Sequence, residues 1–328
     1  MLLPHHVVAV VVTWNRCDLL AECLRAVQGQ TSPPERIIVV DNASDDGTAD
    51  LLRDDFGDVD VVRTSTNLGG AGGFALGLSE ALRQDCAAVW LLDDDTIPRP
   101  TALAELRSAR QGYGYPPSLV ASRAIWTDGR DHPMNTPRPK PGARRREEAA
   151  ARAVGCIPIR SASFVSVLID AATARQRGLP VADYFLWNDD FEFTTRLIRG
   201  RRGLYCPASV VVHKTASFGA TLDPGDRFFY EVRNKVWLFT RSPGLGAGEK
   251  VLYGGSTLRR WAQTFRLSRD RRALARGLSA GIRAGLWTAP RETADVLSGA
   301  IERPSGAAIG WESGGTPADV TERRSGDG

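Results

Sequence analysis

The stretch AVWLLDDDTIPRP, residues 88–100, joins an apolar run of strand length to three consecutive carboxylates. The carboxylates are Asp93, Asp94 and Asp95, and two prolines close the stretch. Adjacent carboxylates repel one another and raise one another's pKa, so they are costly unless a cation or strong donors lie among them. The first and third carboxylates, placed just past a strand, can bind a hard divalent cation that bridges diphosphate oxygens. The alternative is a solvated acidic turn.

The segments around this stretch alternate between strand and helix patterns. Residues 7–12 are a β-branched run typical of a strand buried on both faces of a parallel sheet, and a segment with helical periodicity follows. Residues 37–40 begin a second such round, and a third leads into residues 88–92. This alternation predicts an α/β fold, a doubly wound and mostly parallel sheet with helices on both faces. Ligands of such sheets bind beyond the carboxyl ends of the strands.

The second half of the chain departs from this alternation. Residues 127–155 are rich in Pro, Arg and Glu without an apolar period, and we predict a mobile loop or a short helical excursion there. Beyond about residue 226 the chain is helical and rich in Arg. We therefore predict an α/β domain over 1–225, a basic helical extension over 226–305 and a disordered tail over 306–328.

Composition excludes several classes of protein. With 328 residues, 42% of them hydrophobic and 24% charged, the chain is that of an ordinary globular protein, and a net charge of +4 gives no reason to expect nucleic acid as a partner. Five scattered cysteines without C-x-x-C spacing argue against a zinc site and a disulfide framework, and they fit a reducing cytoplasm. The N-terminus lacks the features of a signal peptide, and no apolar stretch reaches the roughly 18–20 residues of a spanning helix. We expect a protein that is soluble or lies on a membrane surface.

Two further motifs are expected at the same edge of the sheet as the acidic triplet. Asp41 closes the second strand, where an acid commonly accepts hydrogen bonds from a base or a ribose; helix capping is the alternative. Asn67 opens a glycine cluster in which Gly69 and Gly70 would let backbone approach a ligand at a helix N-terminus. Such clusters also form ordinary loops, and this one lacks the Gly-Lys-Ser/Thr of a Walker loop.

The segment FLWNDDFEF, residues 185–193, places acidic residues among aromatic ones. An apolar setting raises the pKa of a carboxylate and suits a general base, so Asp189 and Asp190 are candidates for that role. A capping box at the start of a helix is the alternative. His213 ends another strand; a lone His is more often structural, but beside the triplet it becomes a plausible nitrogen ligand of the same metal.

Five motifs in order, VVVTWNR, VVDNASDDGT, NLGGAGGF, WLLDDDTIP and FLWNDDFEF, resemble the inverting family 2 glycosyltransferases with a GT-A fold. The resemblance spans roughly residues 7–240. The third and fifth motifs look most like those of bacterial galactofuranosyl- and rhamnosyltransferases that build cell-wall linkers, and WNDD is similar to the W-D-D segment of galactofuranosyltransferases. The resemblance implies that residues 1–225 form the nucleotide-sugar-binding and catalytic domain.

The resemblance also implies a role for each residue. The nucleotide sugar would be held by Thr13, Arg16, Asp41, Asn67, Gly69, Gly70 and Asp94, and Mn²⁺ or Mg²⁺ by Asp93, Asp95 and His213. Asp190 would be the base and Asp189 would position the acceptor, although a Glu-Asp pair in many members leaves the choice between the two open. Trp187, Arg233 and Asn234 are candidates for contact with the acceptor.

The implied reaction is a metal-dependent, inverting transfer of galactofuranose from its UDP sugar to a polyprenyl-diphosphate-linked saccharide in cell-wall polysaccharide synthesis. Such an acceptor implies a cytoplasmic protein that lies peripherally on the inner face of the cell membrane, with the basic helical region as the contact; a helical cap packed on the sheet is the alternative. A rhamnosyltransferase that uses dTDP-rhamnose is the nearest rival. A nucleotidyltransferase would need a basic Gly-rich loop after the first strand, which TWNRCD lacks, and a non-catalytic nucleotide-sugar-binding module is disfavoured by the acids present.

Overall fold

A computed structural model describes residues 6–218 and 223–300, so the tail predicted over 306–328 lies outside the described residues. The strands are β1 (Val7–Thr13), β2 (Arg36–Asp41), β3 (Asp60–Arg63), β4 (Ala88–Asp93), β5 (Thr96–Pro98), β6 (Leu119–Ile125), β7 (Arg138–Pro139), β8 (Ile157–Ser161), β9 (Ser166–Asp170) and β10 (Gly203–His213). The helices are α1 (Cys17–Gln28), α2 (Thr48–Asp55), α3 (Gly69–Arg83), α4 (Ala102–Gly112), α5 (Arg145–Ala153), α6 (Ala171–Arg177), α7 (Asp189–Ile198), α8 (Phe228–Thr240), α9 (Ala247–Leu267), α10 (Arg271–Trp287) and α11 (Thr293–Ser298).

The strands of the described residues form one mixed sheet in the order β3-β2-β1-β4-β9-β6-β10-β8-β7, with β5 paired to β10. Strands β3, β2, β1 and β4 pair in parallel, as do β6 and β10. Between these two sets lies β9, which is antiparallel to both of its neighbours, β4 and β6. The prediction of an α/β fold with a mostly parallel sheet is confirmed.

Strand β1 is an interior strand of this sheet and is buried on both faces. Val8, Val10 and Val12 pack in a cluster with α3, α6 and α7, while Val11 packs in a second cluster with α1, α2 and α4. Burying a side chain of this size contributes about 1.5–3 kcal/mol. The β-branched run therefore anchors a layer of helices on each side of the sheet. In α3, Gly77 brings the helix close, because a Cβ there would lie 2.3 Å from Cγ1 of Val10.

Residues 127–155 combine irregular structure with the two-residue strand β7 and the short helix α5. The helical excursion is confirmed, but a mobile loop does not describe the whole segment. His132 and Ala151 are buried, and His132 stacks on His213 with 5.0 Å between ring centroids. Part of the segment thus packs against the end of β10, at the edge of the sheet where the acidic triplet lies.

Helices follow residue 226, as predicted. Helix α8 packs against α10, whose Gly277, Gly281 and Gly285 recur every fourth residue; a Cβ at Gly281 would lie 2.7 Å from Cβ of Val232. Leu297 of α11 joins the cluster on the α3 side of the sheet. Among residues 6–218 and 223–300, every helix is too short or too polar to cross a bilayer. The domain boundary at 225 stays a prediction.

Candidate active site

The acidic triplet lies where β4 ends and the chain turns back into β5. Asp93 is the last residue of β4, and β5 runs antiparallel to β10 with Thr96 opposite His213. This pairing places the end of β10 beside the triplet, although the two segments are far apart in sequence. The side chains of Asp94, Asp95 and His213 are buried.

Asp93, Asp95 and His213 offer three ligand atoms that lie within 4.8 Å of one another. Nδ1 of His213 lies 2.8 Å from Oδ1 of Asn135, whose amide nitrogen donates to Ser163 Oγ. Since an amide oxygen only accepts, Nδ1 of His213 donates to Asn135 and Nε2 faces Asp95. Nε2 lies 2.9 Å from Oδ1 of Asp95; burial opposes the shift, but the contact with His213 lowers the pKa of Asp95. Carboxylate oxygens and an imidazole nitrogen are ligands that a divalent cation takes, so these residues fit a divalent metal.

Arg16 and Thr13 bind the same carboxylates from the end of β1. Nη1 of Arg16 lies 3.1 Å from Oδ1 of Asp94 and 2.6 Å from Oδ2 of Asp95, and the Thr13 hydroxyl donates to Asp94. Burial raises the pKa of Asp94 to about 6, although Arg16 opposes the shift. Two of the residues implied for the nucleotide sugar are thus brought to the triplet, where Arg16 supplies a positive charge.

Asp41 lies at the end of the neighbouring strand β2 and is fully buried. Its Oδ1 accepts from the backbone N–H of Ser44. Its Oδ2 accepts no hydrogen bond from any residue that the structure describes, and the nearest charged group, Nη1 of Arg63, is 3.6 Å away. An unsatisfied buried carboxylate oxygen costs about 1–3 kcal/mol, so this atom is available to a ligand.

Packing within the protein explains one of the glycines that follow Asn67. Asn67 accepts from the backbone N–H of Gly69 and so closes its own loop. Gly69 has φ +68°, and a Cβ there would lie 2.0 Å from the carbonyl oxygen of Phe185. Gly70 differs, because a Cβ added there meets nothing within 4 Å. Close backbone approach to Phe185 thus explains Gly69, whereas the space beside Gly70 is open.

Asp189 and Asp190 form the first turn of α7. Burial, followed by repulsion from Asp190, raises the pKa of Asp189 to about 8, and Asp189 in turn adds to the raised pKa of Asp93. Burial also raises the pKa of Asp190, but the N–H of Phe191 and the charges of Lys235 and Arg138 oppose the shift. Asp189 therefore interacts with the triplet, and Asp190 with a group of cations.

The alternative interpretation of this segment, a capping box, does not hold. Asn188 begins α7 with φ +68° and no side-chain cap, and Glu192 instead pairs with Arg196 at 2.9 Å and accepts from Ser242. Glu192 is thus a structural residue of the helix.

The three residues predicted to contact the acceptor lie around the loop that precedes α7. Trp187 has φ +65°. Asn234 donates to the carbonyl oxygens of Tyr184, Leu186 and Trp187, and Arg233 donates to those of Asp183 and Tyr184. Asn234 and Arg233 therefore hold this loop in place; their contact with an acceptor stays a prediction.

Sequence reasoning missed Asn135, Arg138 and Lys235. Asn135 and Arg138 lie in the segment without an apolar period, where no pattern indicates which side chains turn inward. Lys235 falls in an amphipathic helix, yet only 5% of it is exposed. A lysine on the apolar face of a helix was the one available signal.

The mixed sheet and the acidic site at its edge define a GT-A glycosyltransferase. A family model described as glycosyl transferase family 2 matches residues 8–148. The chain is also 33% identical over 262 residues to galactofuranosyltransferase GlfT1 of Mycobacterium tuberculosis, an alignment that covers 73% of this chain and 83% of that protein. The chain therefore belongs to glycosyl transferase family 2, and its relatives include galactofuranosyltransferases.

Solved structures show the same fold. TarS of S. aureus is similar with a TM-score of 0.59 at 15% identity, over 89% of this chain and 50% of that one. GalNAc-T7, solved with UDP, GalNAc and Mn²⁺, is similar with a TM-score of 0.53 at 14% identity, over 77% of this chain and 54% of that one. The chain thus spans about half the length of either of these two chains.

Proposed function

We propose that this glycosyltransferase transfers galactofuranose from UDP-galactofuranose to a lipid-linked saccharide, with inversion at the anomeric carbon. The choice of sugar rests on the 33% identity to a galactofuranosyltransferase over most of both chains. The arrangement of the candidate residues supports it, because those proposed for the nucleotide and the divalent metal lie at the carboxyl ends of strands and Asp189, beside the proposed base, interacts with them.

The donor would lie between the ends of β1, β2 and β4. The free oxygen of Asp41 is suited to accept a hydrogen bond from the base or the ribose. Thr13, Arg16 and Asp94 would line the diphosphate side, where the Arg16 guanidinium supplies a positive charge. Asn67 and Gly69 would shape the loop beside the nucleotide, and Gly70 would leave room for it.

Asp93, Asp95 and His213 would hold Mn²⁺ or Mg²⁺, which when bound neutralises charge on the departing nucleoside diphosphate. Asn135 would keep the Nε2 lone pair of His213 available by accepting from Nδ1. Arg16 would add its own positive charge on the same side of the donor.

Asp190 would act as the general base. The neighbouring charges of Lys235 and Arg138 favour its ionised form, which can accept a proton from an acceptor hydroxyl. As the O–H bond breaks, the hydroxyl oxygen bonds to the anomeric carbon and the bond to the UDP oxygen breaks on the opposite face. One displacement of this kind inverts the anomeric centre and needs no covalent enzyme intermediate. Asp189, next to the triplet, would position the acceptor.

A lipid-linked acceptor requires access to a membrane, and α9 offers a surface for it. Val251 and Leu258 are 76% and 64% exposed and lie on one face of the helix, next to exposed Arg259 and Arg266. Trp287 at the end of α10 is 76% exposed as well. We propose that these residues contact anionic lipid on the cytoplasmic face of the cell membrane. Val251→Ser with Leu258→Ser should then reduce co-sedimentation with anionic vesicles, and unchanged sedimentation would contradict the contact.

The experiment for the proposed function is a transfer assay with Mn²⁺ that offers UDP-galactofuranose and dTDP-rhamnose separately. A product formed only from UDP-galactofuranose, whose first-formed anomer is inverted relative to the donor by NMR, is the expected result. Transfer only from dTDP-rhamnose would overturn the choice of sugar. UDP-galactofuranose binding without transfer to any acceptor would indicate a binding module.

A further inference from the structure

Lys235 and Arg138 lie beside Asp190, and Arg260 lies near these two cations, although the three residues are far apart in sequence. Nζ of Lys235 in α8 lies 4.8 Å from the centre of the Phe191 ring, and the guanidinium carbon of Arg138 in β7 lies 5.4 Å from the same centre. Arg260 in α9 repels both, since its charge lowers the pKa of each. Like charges brought together in this way need an anion among them.

Lys235 gives the strongest evidence that these cations bind an anion. It is 95% buried, and among residues 6–218 and 223–300 its ammonium lies over the Phe191 ring but forms no hydrogen bond or ion pair with an anion. Lys140 shows the contrast within the same chain, because its ammonium pairs with buried Glu147 at 2.7 Å. Burying an ammonium without a partner is costly, so a purely structural lysine is expected to be paired as Lys140 is.

The carboxylates near these cations already have partners of their own. The two oxygens of Glu231 accept from Asn188 and from Trp261, at 2.7 and 3.2 Å. Oδ1 of Asp190 accepts from the backbone N–H of Phe191 at 2.6 Å. Three cations therefore face two carboxylates whose oxygens are partly occupied, which leaves a positive charge in excess.

The position of these three cations indicates which substrate carries the anion that they would bind. Asp190, the proposed base, must receive the acceptor hydroxyl, and Phe191, the next residue, lies against both Lys235 and Arg138. Arg138 and Arg260 are solvent exposed, so the group opens outwards. Arg260 also shares a face of α9 with Tyr253 and Thr257, opposite to the exposed Val251 and Leu258. A ligand here would reach both the base and the helix proposed to contact lipid.

We propose that Lys235, Arg138 and Arg260 bind the phosphate or diphosphate group through which the acceptor saccharide is joined to its lipid. Phosphate oxygens accept charge-assisted hydrogen bonds from lysine and arginine, and arginine can bind two of them at once. This inference rests on the proposed function, because it assigns a substrate group to the same site.

The test compares two acceptors with the same saccharide, one carried on a lipid diphosphate and one on an uncharged alkyl glycoside. Arg260→Ala and Lys235→Met should raise KM for the diphosphate acceptor about 10-fold more than KM for the neutral one, as the loss of one charged hydrogen bond implies. Arg152→Ala is the control, since Arg152 is exposed on α5 and lies outside both this group and the surface proposed to contact lipid. Arg260 is exposed too, so its variant keeps the test valid if Lys235→Met does not fold. Equal effects on both acceptors would overturn the inference.

Failure of the proposed function has a different signature. If the wild-type protein transfers galactofuranose to neither acceptor, the proposed function fails and kinetics cannot test the cations. Calorimetric titration with inorganic pyrophosphate in EDTA then decides. Binding that is lost in Arg260→Ala and kept in Arg152→Ala supports the anion site, and binding that is equal in the two variants, or absent from the wild type, overturns it.

Discussion

Replacing Lys235 with Met should stabilise the fold while it impairs the use of a charged acceptor. Burial lowers the pKa of Lys235 from 10.5 to about 8, with Arg260 and Arg138 adding to the shift. A difference of one pKa unit corresponds to about 1.36 kcal/mol, so the protonated ammonium costs the native state about 3 kcal/mol. Met has a similar length and carries no charge, so the variant should unfold with a free energy about 3 kcal/mol higher at neutral pH.

The pH dependence separates this effect from ordinary packing. Below a pH of about 8 the native and unfolded states both hold the proton, and the whole cost is present. Between about 8 and 10.5 the unfolded chain holds more protons than the native protein, so the stability of the wild type rises with pH. Lys235→Met lacks this group, and its advantage should fade across the same interval.

Urea unfolding of both proteins at about pH 7 and about pH 10 measures the difference. Lys235→Arg, which keeps the charge, is the control and should not gain stability. A Lys235→Met variant that is less stable than the wild type at neutral pH, or an advantage that does not change with pH, would refute the reasoning.

Three further predictions concern the base, the metal site and the glycine loop. Asp190→Asn should lower kcat by about 100-fold or more while UDP affinity is kept, and Asp189→Asn should lower it less; the reverse order would make Asp189 the base. Because the pKa of Asp190 is raised, activity should be lost on acidification at a higher pH than for an ordinary carboxylate. Lys235→Met removes a charge that lowers the pKa of Asp190, so this variant should lose activity at a still higher pH. Asn135→Leu should weaken the binding of Mn²⁺, measured by calorimetry, about 10-fold. Asn135→Asp still accepts from Nδ1 of His213 and should restore the affinity. An equal loss in both variants would contradict a positioning role for Asn135. Gly69→Ala should lower the unfolding free energy by roughly 2 kcal/mol or more because of its φ of +68° and the Phe185 carbonyl, whereas Gly70→Ala should leave it unchanged or raise it; equal melting temperatures would contradict this.

The strand content of the first half could be predicted because its local patterns are unambiguous. Residues 7–12 are apolar throughout and prove to be buried on both faces, and the acidic triplet follows a buried strand directly. The direction of β9 could not be predicted, since its apolar pattern is the same whether it runs parallel or antiparallel to its neighbours.

The meeting of distant candidate residues could be predicted where they end strands. Asp41, Asp93 and His213 do so, and sheet topology then brings them to one edge. Asn135 lies outside regular structure and reaches His213 through tertiary packing alone. The close approach of Gly69 to Phe185 could not be predicted, because it joins parts of the chain 116 residues apart that local sequence does not connect.

The measurement that tests the central claim most directly is calorimetric titration with UDP and with dTDP, each in Mn²⁺ and in EDTA, for the wild type and for Asp95→Ala. We expect UDP to bind more tightly than dTDP, and the difference between Mn²⁺ and EDTA to disappear in Asp95→Ala. Asp58→Ala, which removes an exposed carboxylate remote from the site, is the control and should behave as the wild type does. UDP affinity that is the same with and without Mn²⁺ in the wild type would contradict a metal site at the triplet, and a preference for dTDP would contradict galactofuranose as the sugar.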